Sequence, residues 1–279
     1  MIRDITIGQY YPVDSPVHRL DPRVKLAGTF LFIVSIFFVN NAVGFLLALV
    51  MFAAIVKLSR IPFSYMVRGL KAIVILLVFS VVMNLFLIKE GTVLVHFWII
   101  TITDRGVKNA FFLGLRLILL VLGSSLMTLT TTPLSLTDGM EKAMRPLKKI
   151  HIPVHEISMM MSIALRFIPI LLEETDKIMK AQQARGADFE TGNLFERAKA
   201  MVPILVPLFI SAFRRADDLA TAMESRCYRG DSGRTRMKEL KYTKQDKIAY
   251  LILILGAALL IASRFLPVAS FLTNTGGTI

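Results

Sequence analysis

An all-α membrane protein is predicted, with about five transmembrane helices and a cytoplasmic block of amphipathic helices between the fourth and fifth. Three observations predict it. The chain of 279 residues is 54% hydrophobic, above the roughly 45–50% usual in soluble domains. It holds several apolar runs of about 15–21 residues, close to the roughly 20 that a bilayer-spanning helix needs. Its Lys and Arg residues fall in alternate connections, as the positive-inside bias requires.

The elements follow in order. Residues 1–25 carry Asp4, Asp14, Asp21, Pro12, Pro16 and Pro22, which a cleavable apolar signal core would not tolerate, and the basic Arg3, Arg19, Arg23 and Lys25. Spans are expected near 26–43, 42–57, 72–88, 109–131 and 248–268, the first two meeting at the turn-prone Asn40-Asn41. Segment 91–106 is short, β-branched and bounded by glycines, and reads as an outer-face hairpin or interfacial dip with Trp98 at the interface. The connection after the second span has Lys57, Arg60, Arg68 and Lys71, and residues 132–247 hold 20 Lys and Arg against 15 Asp and Glu. Asn40-Asn41 carries no charge. An N-inside, C-outside chain therefore satisfies the charge bias throughout, in three regions: 1–131 with four spans, the cytoplasmic 132–247, and 248–279 with the last span and an outer tail.

Within 132–247, Thr137-Asp138 can cap a helix that His151-Ile-Pro153 breaks. A second segment runs from Val154 to Ala184 with an apolar stripe through Ile157, Met160, Met161, Leu165 and Ile168. Gly186 and Gly192 flank a short link, and a third segment runs from Leu194 to about Cys227, before Gly230, Gly233 and a basic tail suited to lipid headgroups. These segments are too apolar to stand alone in water. Met159, Met160, Met161, Pro203 and Pro207 mark a surface for packing, and methionine adapts to changing partners.

The second and third segments end alike. Asp176 to Gly186 and Asp217 to Cys227 align without a gap at an offset of 41 residues, each closing on one Arg between small residues: Ala184-Arg185-Gly186 and Ser225-Arg226-Cys227. One such Arg needs no more explanation than a helix dipole, about 0.3–1 kcal/mol. A matched pair points further, to forked donors that satisfy carboxylates or carbonyls in two sockets on other proteins. Arg229 competes with Arg226 as the docking cation, and because Cys227 is a poor helix stop, the third segment is expected to end at Gly230.

Other candidates are weaker. His151 and His155, with Glu156 adjacent, are spaced as helical metal ligands, but Pro153 interrupts the helix and no third ligand follows, so no metal site is expected. Arg116 and Arg264 lie in apolar runs; intramembrane charge is a functional flag, and snorkelling to the interface explains Arg264 better than Arg116. Asn84 and Ser124-Ser125 read as interhelical hydrogen-bonding groups. No Gly is followed by Lys, so a phosphate-binding loop is missing, no cofactor is expected, and the net charge of +13 suits the inner leaflet and acidic partners rather than nucleic acid. The single Cys227 excludes an intrachain disulfide.

The ordered set Gly8 to Lys25 (with Asp14-Ser-Pro-Val-His-Arg-Leu-Asp-Pro-Arg23), Ala164-Leu-Arg166-Phe-Ile-Pro169, Ala184-Arg185-Gly186 and Arg214-Arg-Ala-Asp217 with Ala222-Met-Glu224 resembles the T component of energy-coupling-factor (ECF) vitamin transporters over nearly the whole chain. The resemblance implies a noncatalytic scaffold that joins two cytoplasmic ABC ATPase subunits, expected to be nonidentical, to an exchangeable vitamin-binding membrane S component. It assigns ATPase coupling to Arg185 and Arg226 with their small neighbours. Ser225 and Cys227 depart from the commoner Ala-Arg-Gly. Arg229, Asp176, Asp217 and Arg166 are secondary candidates, and the Met159–Met161 and Pro203/Pro207 surface is assigned to the S component. Two alternatives stand beside this: a stand-alone secondary transporter or channel, and a T component dedicated to cobalt, nickel or biotin.

Overall fold

A computed structural model describes residues 10–71, 73–88, 92–97, 100–189, 193–230 and 240–265. The architecture is all-α, as expected, with one small hairpin. The helices are α1 (Pro22–Phe38), α2 (Ala42–Ser59), α3 (Phe63–Lys71), α4 (Val74–Leu87), α5 (Asp104–Thr130), α6 (Pro133–Met144), α7 (Val154–Ala184), α8 (Leu194–Ser225) and α9 (Lys244–Ala262). Between α4 and α5, β1 (Val93–Phe97) pairs antiparallel with β2 (Ile100–Thr103), Phe97 opposite Ile100, with an irregularity between Val93 and Val95. The expected hairpin therefore forms; Trp98 lies outside the described residues, as do Gly192, Gly233, Arg234, Arg236 and Lys238.

By length and hydropathy, α2, α5, α7 and α9 can each cross a membrane, and α3 with α4, bent by 68°, makes a fifth candidate. At 17 residues α1 sits at the short end of the spanning range. The sequence assigns α7 to the block between spans, yet its stripe of Ile, Met and Leu passes the same test. Length and composition cannot separate a long amphipathic helix from a span.

Local chemistry sets the boundaries. Asp21 caps α1 by accepting from the Arg23 N–H at 2.9 Å, with Pro22 at the first helical position, where its missing donor costs nothing. Thr103 Oγ1 caps α5, accepting from Gly106 N at 3.1 Å and donating to Ile88 O at 3.0 Å. Thr243 and Asp246 form a capping box for α9. One expectation fails here. Thr132, not Thr137-Asp138, starts α6, its Oγ1 accepting from Ser135 N, because Pro133 is the natural first residue of that helix. Thr137 instead bonds back to the Pro133 carbonyl inside the helix.

Close Cα neighbours divide the chain into two compact units, Gly8–Met140 with Leu240–Ile279, and Met1–Ile7 with Glu141–Glu239. The first has a contiguous apolar core in which Ile36, Phe45, Ala48, Met66, Leu119, Leu126 and Leu260 from α1, α2, α3, α5 and α9 pack together. Phe45 stacks on Phe112 with ring centroids 5.1 Å apart.

One end of this unit is tied by the N-terminal segment. Tyr11 N–H donates to Leu129 O (2.9 Å), and Lys25 Nζ donates to His18 O (3.0 Å) and Thr130 O (2.8 Å). Asp21 N–H donates to Asp246 Oδ1 (2.9 Å), while the Arg23 guanidinium pairs with Asp21 and lies 3.9 Å over the Tyr242 ring. The starts of α1 and α9 and the end of α5 thus share one end, where Arg19, Arg23, Lys25, Lys244 and Lys247 are concentrated. His18 accepts at Nδ1 from Ser15 Oγ (2.7 Å) and donates from Nε2 to Tyr11 O (3.1 Å), bonds that the neutral ring satisfies together. Burial, reinforced by the Lys25 ammonium, holds its pKa below the usual histidine range. Asp14 is held below the ordinary carboxylate range by its hydrogen bond with Arg19.

Away from that end, Arg116 donates to Val39 O (2.6 Å) and Asn40 Oδ1 (3.1 Å), and Asn41 Nδ2 donates to Ser263 O (2.7 Å). Arg116 therefore locks the α1–α2 turn, meeting one backbone carbonyl at the end of α1 and the amide oxygen of Asn40. The interhelical bonds expected of Asn84 and Ser124 do not form among the described residues. Ser124 Oγ bonds Leu120 O one turn back in its own helix, and Asn84 Oδ1 is buried without a partner.

Candidate coupling site at two helix ends

The unit Glu141–Glu239 is built on α7 and α8, which pack on each other. A 3₁₀ turn (Arg145–Ile150) precedes α7, and His151 takes a left-handed conformation (φ 60°) that ends the turn. His155 Nδ1 lies 3.2 Å from Glu141 Oε1. Among the described residues no three of His, Cys, Asp and Glu converge as a metal site would require. α8 starts with Asn193 as its cap, whose N–H donates to Glu196 Oε2 at 3.0 Å.

The two helix ends are alike in backbone. α7 ends at Ala184, with Arg185 as cap; Gly186 N–H donates to Gln183 O (2.9 Å) and Ala187 N–H to Gln182 O (3.0 Å). α8 ends at Ser225, with Arg226 as cap; Cys227 N–H donates to Glu224 O (2.8 Å) and Tyr228 N–H to Met223 O (3.0 Å). Both are Schellman motifs, in which a left-handed residue after the cap lets two N–H groups return to the last carbonyls. Gly186 has φ +90° and Cys227 φ +55°. The expected stop at Gly230 is thus overturned: Cys227 accepts the left-handed conformation, and the paired hydrogen bonds offset a steric cost of about 1–2 kcal/mol. The sequence preference for glycine at this position was too weak to move the helix end.

Arg185 and Arg226 are both exposed, and among the described residues neither guanidinium has a hydrogen-bond or ion-pair partner. Arg229, by contrast, already has a partner within the chain. Asp176 pairs with Lys180 at 2.7 Å, whereas its counterpart Asp217 is exposed at a position whose fourth-next residue is Thr221, so the two leading acids differ. Arg166 is exposed on α7. Met160 and Met161 are exposed and Met159 half-buried on α7; Pro203 and Pro207 are exposed on α8 beside Val202, Val206, Phe209 and Phe213.

One contact was missed from sequence. Arg215 on α8 donates to Glu174 Oε2 on α7 at 3.0 Å and also reaches Ser211 Oγ. Glu174 and Arg215 are themselves 41 residues apart, at equivalent positions of the repeat. Equivalent positions of the repeat therefore meet where α7 packs on α8. From that contact to Arg185 and to Arg226 each helix continues equally far, about 16 Å at 1.5 Å per residue. The offset was visible in the sequence; the opposite charges at matched positions were the signal.

An apolar helical bundle with several helices able to span a bilayer, and a second unit whose two packed helices each end on an exposed Arg, defines a polytopic membrane protein. The cobalt transport protein family (CbiQ) matches residues 14–238, and the chain belongs to this family, in its branch of transmembrane components of energy-coupling factor transporters. It is 55% identical to the energy-coupling factor transporter transmembrane protein EcfT of Ruminiclostridium cellulolyticum over 88% of this chain and 92% of that protein. It is 53% identical to that of Thermosediminibacter oceani over 95% of this chain and 100% of that one. For that of Bacillus subtilis the values are 47%, 93% and 98%. The chain is a multi-pass bacterial cell-membrane protein and a transmembrane component of an energy-coupling factor transporter.

Proposed function

We propose that this chain is the coupling scaffold of an ECF-type importer, lying N-inside and C-outside, with Glu141–Glu239 in the cytoplasm. Arg185 and Arg226 seat in grooves on two cytoplasmic ABC ATPases, and the apolar surface of α7 and α8, including Met159–Met161, Pro203 and Pro207, carries a vitamin-binding S component. The observation that carries this reading is the pair of matched Schellman ends, each presenting an exposed guanidinium with no partner among the described residues. Arg forks its donors, stays charged, and suits carboxylates or carbonyls in a socket. Small residues beside each Arg let the backbone approach closely.

The mechanism follows from the contact between α7 and α8. When ATP draws the two ATPases together, both helix ends move. Arms of equal length, joined at Glu174–Arg215, pass that motion to the apolar surface and reorient the S component. The basic end of the membrane unit faces the anionic inner leaflet.

Arg185→Glu and Arg226→Glu should each weaken ATPase copurification by about 2–5 kcal/mol, the usual effect of losing one partner of a desolvated charge contact. The double reversal should abolish uptake. If the double variant copurifies with both ATPases and transports normally, the socket reading is wrong. A system dedicated to cobalt is the second reading, favoured by the family's description. Copurification of several small S components with one complex would decide for a vitamin scaffold that serves exchangeable S components.

A further inference from the structure

Within the membrane unit, α1, α2, α5 and α9 enclose a partly open cavity of about 210 Å³. Its wall is apolar: Val24, Phe32, Phe52, Leu126 and Leu253 are typical. The hydroxyls of Ser35 and Thr130, which also line it, are bonded within their own helices, to Leu31 O (2.7 Å) and Met127 O (3.2 Å). A water-soluble cargo would find too few polar partners here, since small-molecule sites need several convergent polar groups. Leu58 and Ile252 line the cavity and are themselves exposed, so it reaches the apolar outer surface of the bundle.

One cationic group lines the same cavity. Lys25 is half-buried, with no carboxylate in ion-pair contact among the described residues. Its ammonium has three donors, of which two reach His18 O and Thr130 O, leaving one N–H for a ligand. It stands at the end of the unit where the basic residues are concentrated, and hydrocarbon space continues from it along α1 past Gly28, Phe32 and Ser35. A cation followed by an apolar slot is complementary to an anionic head followed by a hydrocarbon chain.

We propose that this cavity binds one anionic phospholipid, its phosphate at Lys25 and an acyl chain between α1, α2, α5 and α9. The lipid fills a gap that would otherwise lack packing partners, and it holds the ends of α1 and α5 together through the Lys25 bridge.

The test uses the intact transporter complex in nanodiscs of equal phosphatidylglycerol and phosphatidylcholine, followed by detergent washing and native mass spectrometry of retained lipid. One phosphatidylglycerol per chain should persist. Lys25→Gln keeps a donor for the two carbonyls but removes the charge, and should lower phosphatidylglycerol retention about fivefold, the worth of one basic residue near an anionic lipid. Lys25→Arg should restore it. Ala249→Phe narrows the cavity and should reduce retention of both lipids, with Lys25 intact. Retention without preference for phosphatidylglycerol, or unchanged in both Lys25→Gln and Ala249→Phe, overturns the proposal. So does cross-linking of Ile252 to a helix of a partner subunit lying in the cavity.

Discussion

In the membrane unit Phe45 is 2% exposed and Met66 fully buried, whereas on α8 Phe209 is 61% and Phe213 69% exposed. Both units are rich in large apolar residues, but they use them differently. The helices of the first bury an apolar core that includes Phe45 and Met66, and turn other large apolar residues, such as Phe30, Leu46, Ile75 and Phe111, outward where a bilayer covers them. In Glu141–Glu239 few apolar residues, among them Val154 and Ile204, are buried, so most of that surface is kept for something else to cover. Exposed apolar residues therefore occur in both units, but only the first also has a contiguous buried core among the described residues.

The largest expected effect sharpens this contrast. Phe45→Ala should cost about 3–5 kcal/mol through the cavity left in the core and the lost stacking on Phe112, read as a lower melting temperature of the purified complex. Phe209→Ser should leave melting within about 0.5 kcal/mol, as for an exposed site, yet reduce S-component copurification. A Phe209→Ser variant that melts as badly as Phe45→Ala would break the comparison.

A smaller effect separates the two helix ends. Gly186→Ala should destabilise its helix end by about 1 kcal/mol, although a Cβ there meets nothing within 4 Å, because the φ of +90° is itself unfavourable for an L residue. Cys227→Gly should gain up to about 1 kcal/mol at the matching position. Hydrogen exchange at Gly186, Ala187, Cys227 and Tyr228 amides reads both changes, and identical responses at the two ends would show that the backbone, not the residue, sets the cap.

The smallest effect lies in the N-terminal tie. Because the folded protein holds the His18 pKa low, the unfolded chain takes up that proton first as pH falls. Stability should therefore fall as pH drops below about 6.5, the ordinary histidine value, and level off once the folded ring is protonated as well. Melting curves of the wild type and His18→Gln should differ in slope over that window; equal slopes would remove His18 from the account.

Much was legible in the chain itself. The bounds of α7 matched the apolar stripe from Val154 to Ala184, and the turn at Asn40-Asn41 separated α1 from α2, because periodicity and turn chemistry act within a few residues. The paired Arg motifs were legible as a repeat. The role of Arg116 was not, since its partners Val39 and Asn40 lie more than 70 residues away. Nor was the tie between Asp21 and Asp246, whose separation is 225 residues.

The sequence by itself determined the all-α membrane class and the placing of basic residues, because these depend on composition and on interactions along the chain. Tertiary structure alone decided three matters. Cys227 closes α8 as Gly186 closes α7, because a hydrogen-bonded cap outweighs a local steric preference. Arg116 is a turn lock and not a lone charge in the bilayer, because one backbone carbonyl at the end of α1 and the amide oxygen of Asn40 come within reach. Glu174 and Arg215 pair where α7 packs on α8, because packing brings equivalent positions of the repeat together.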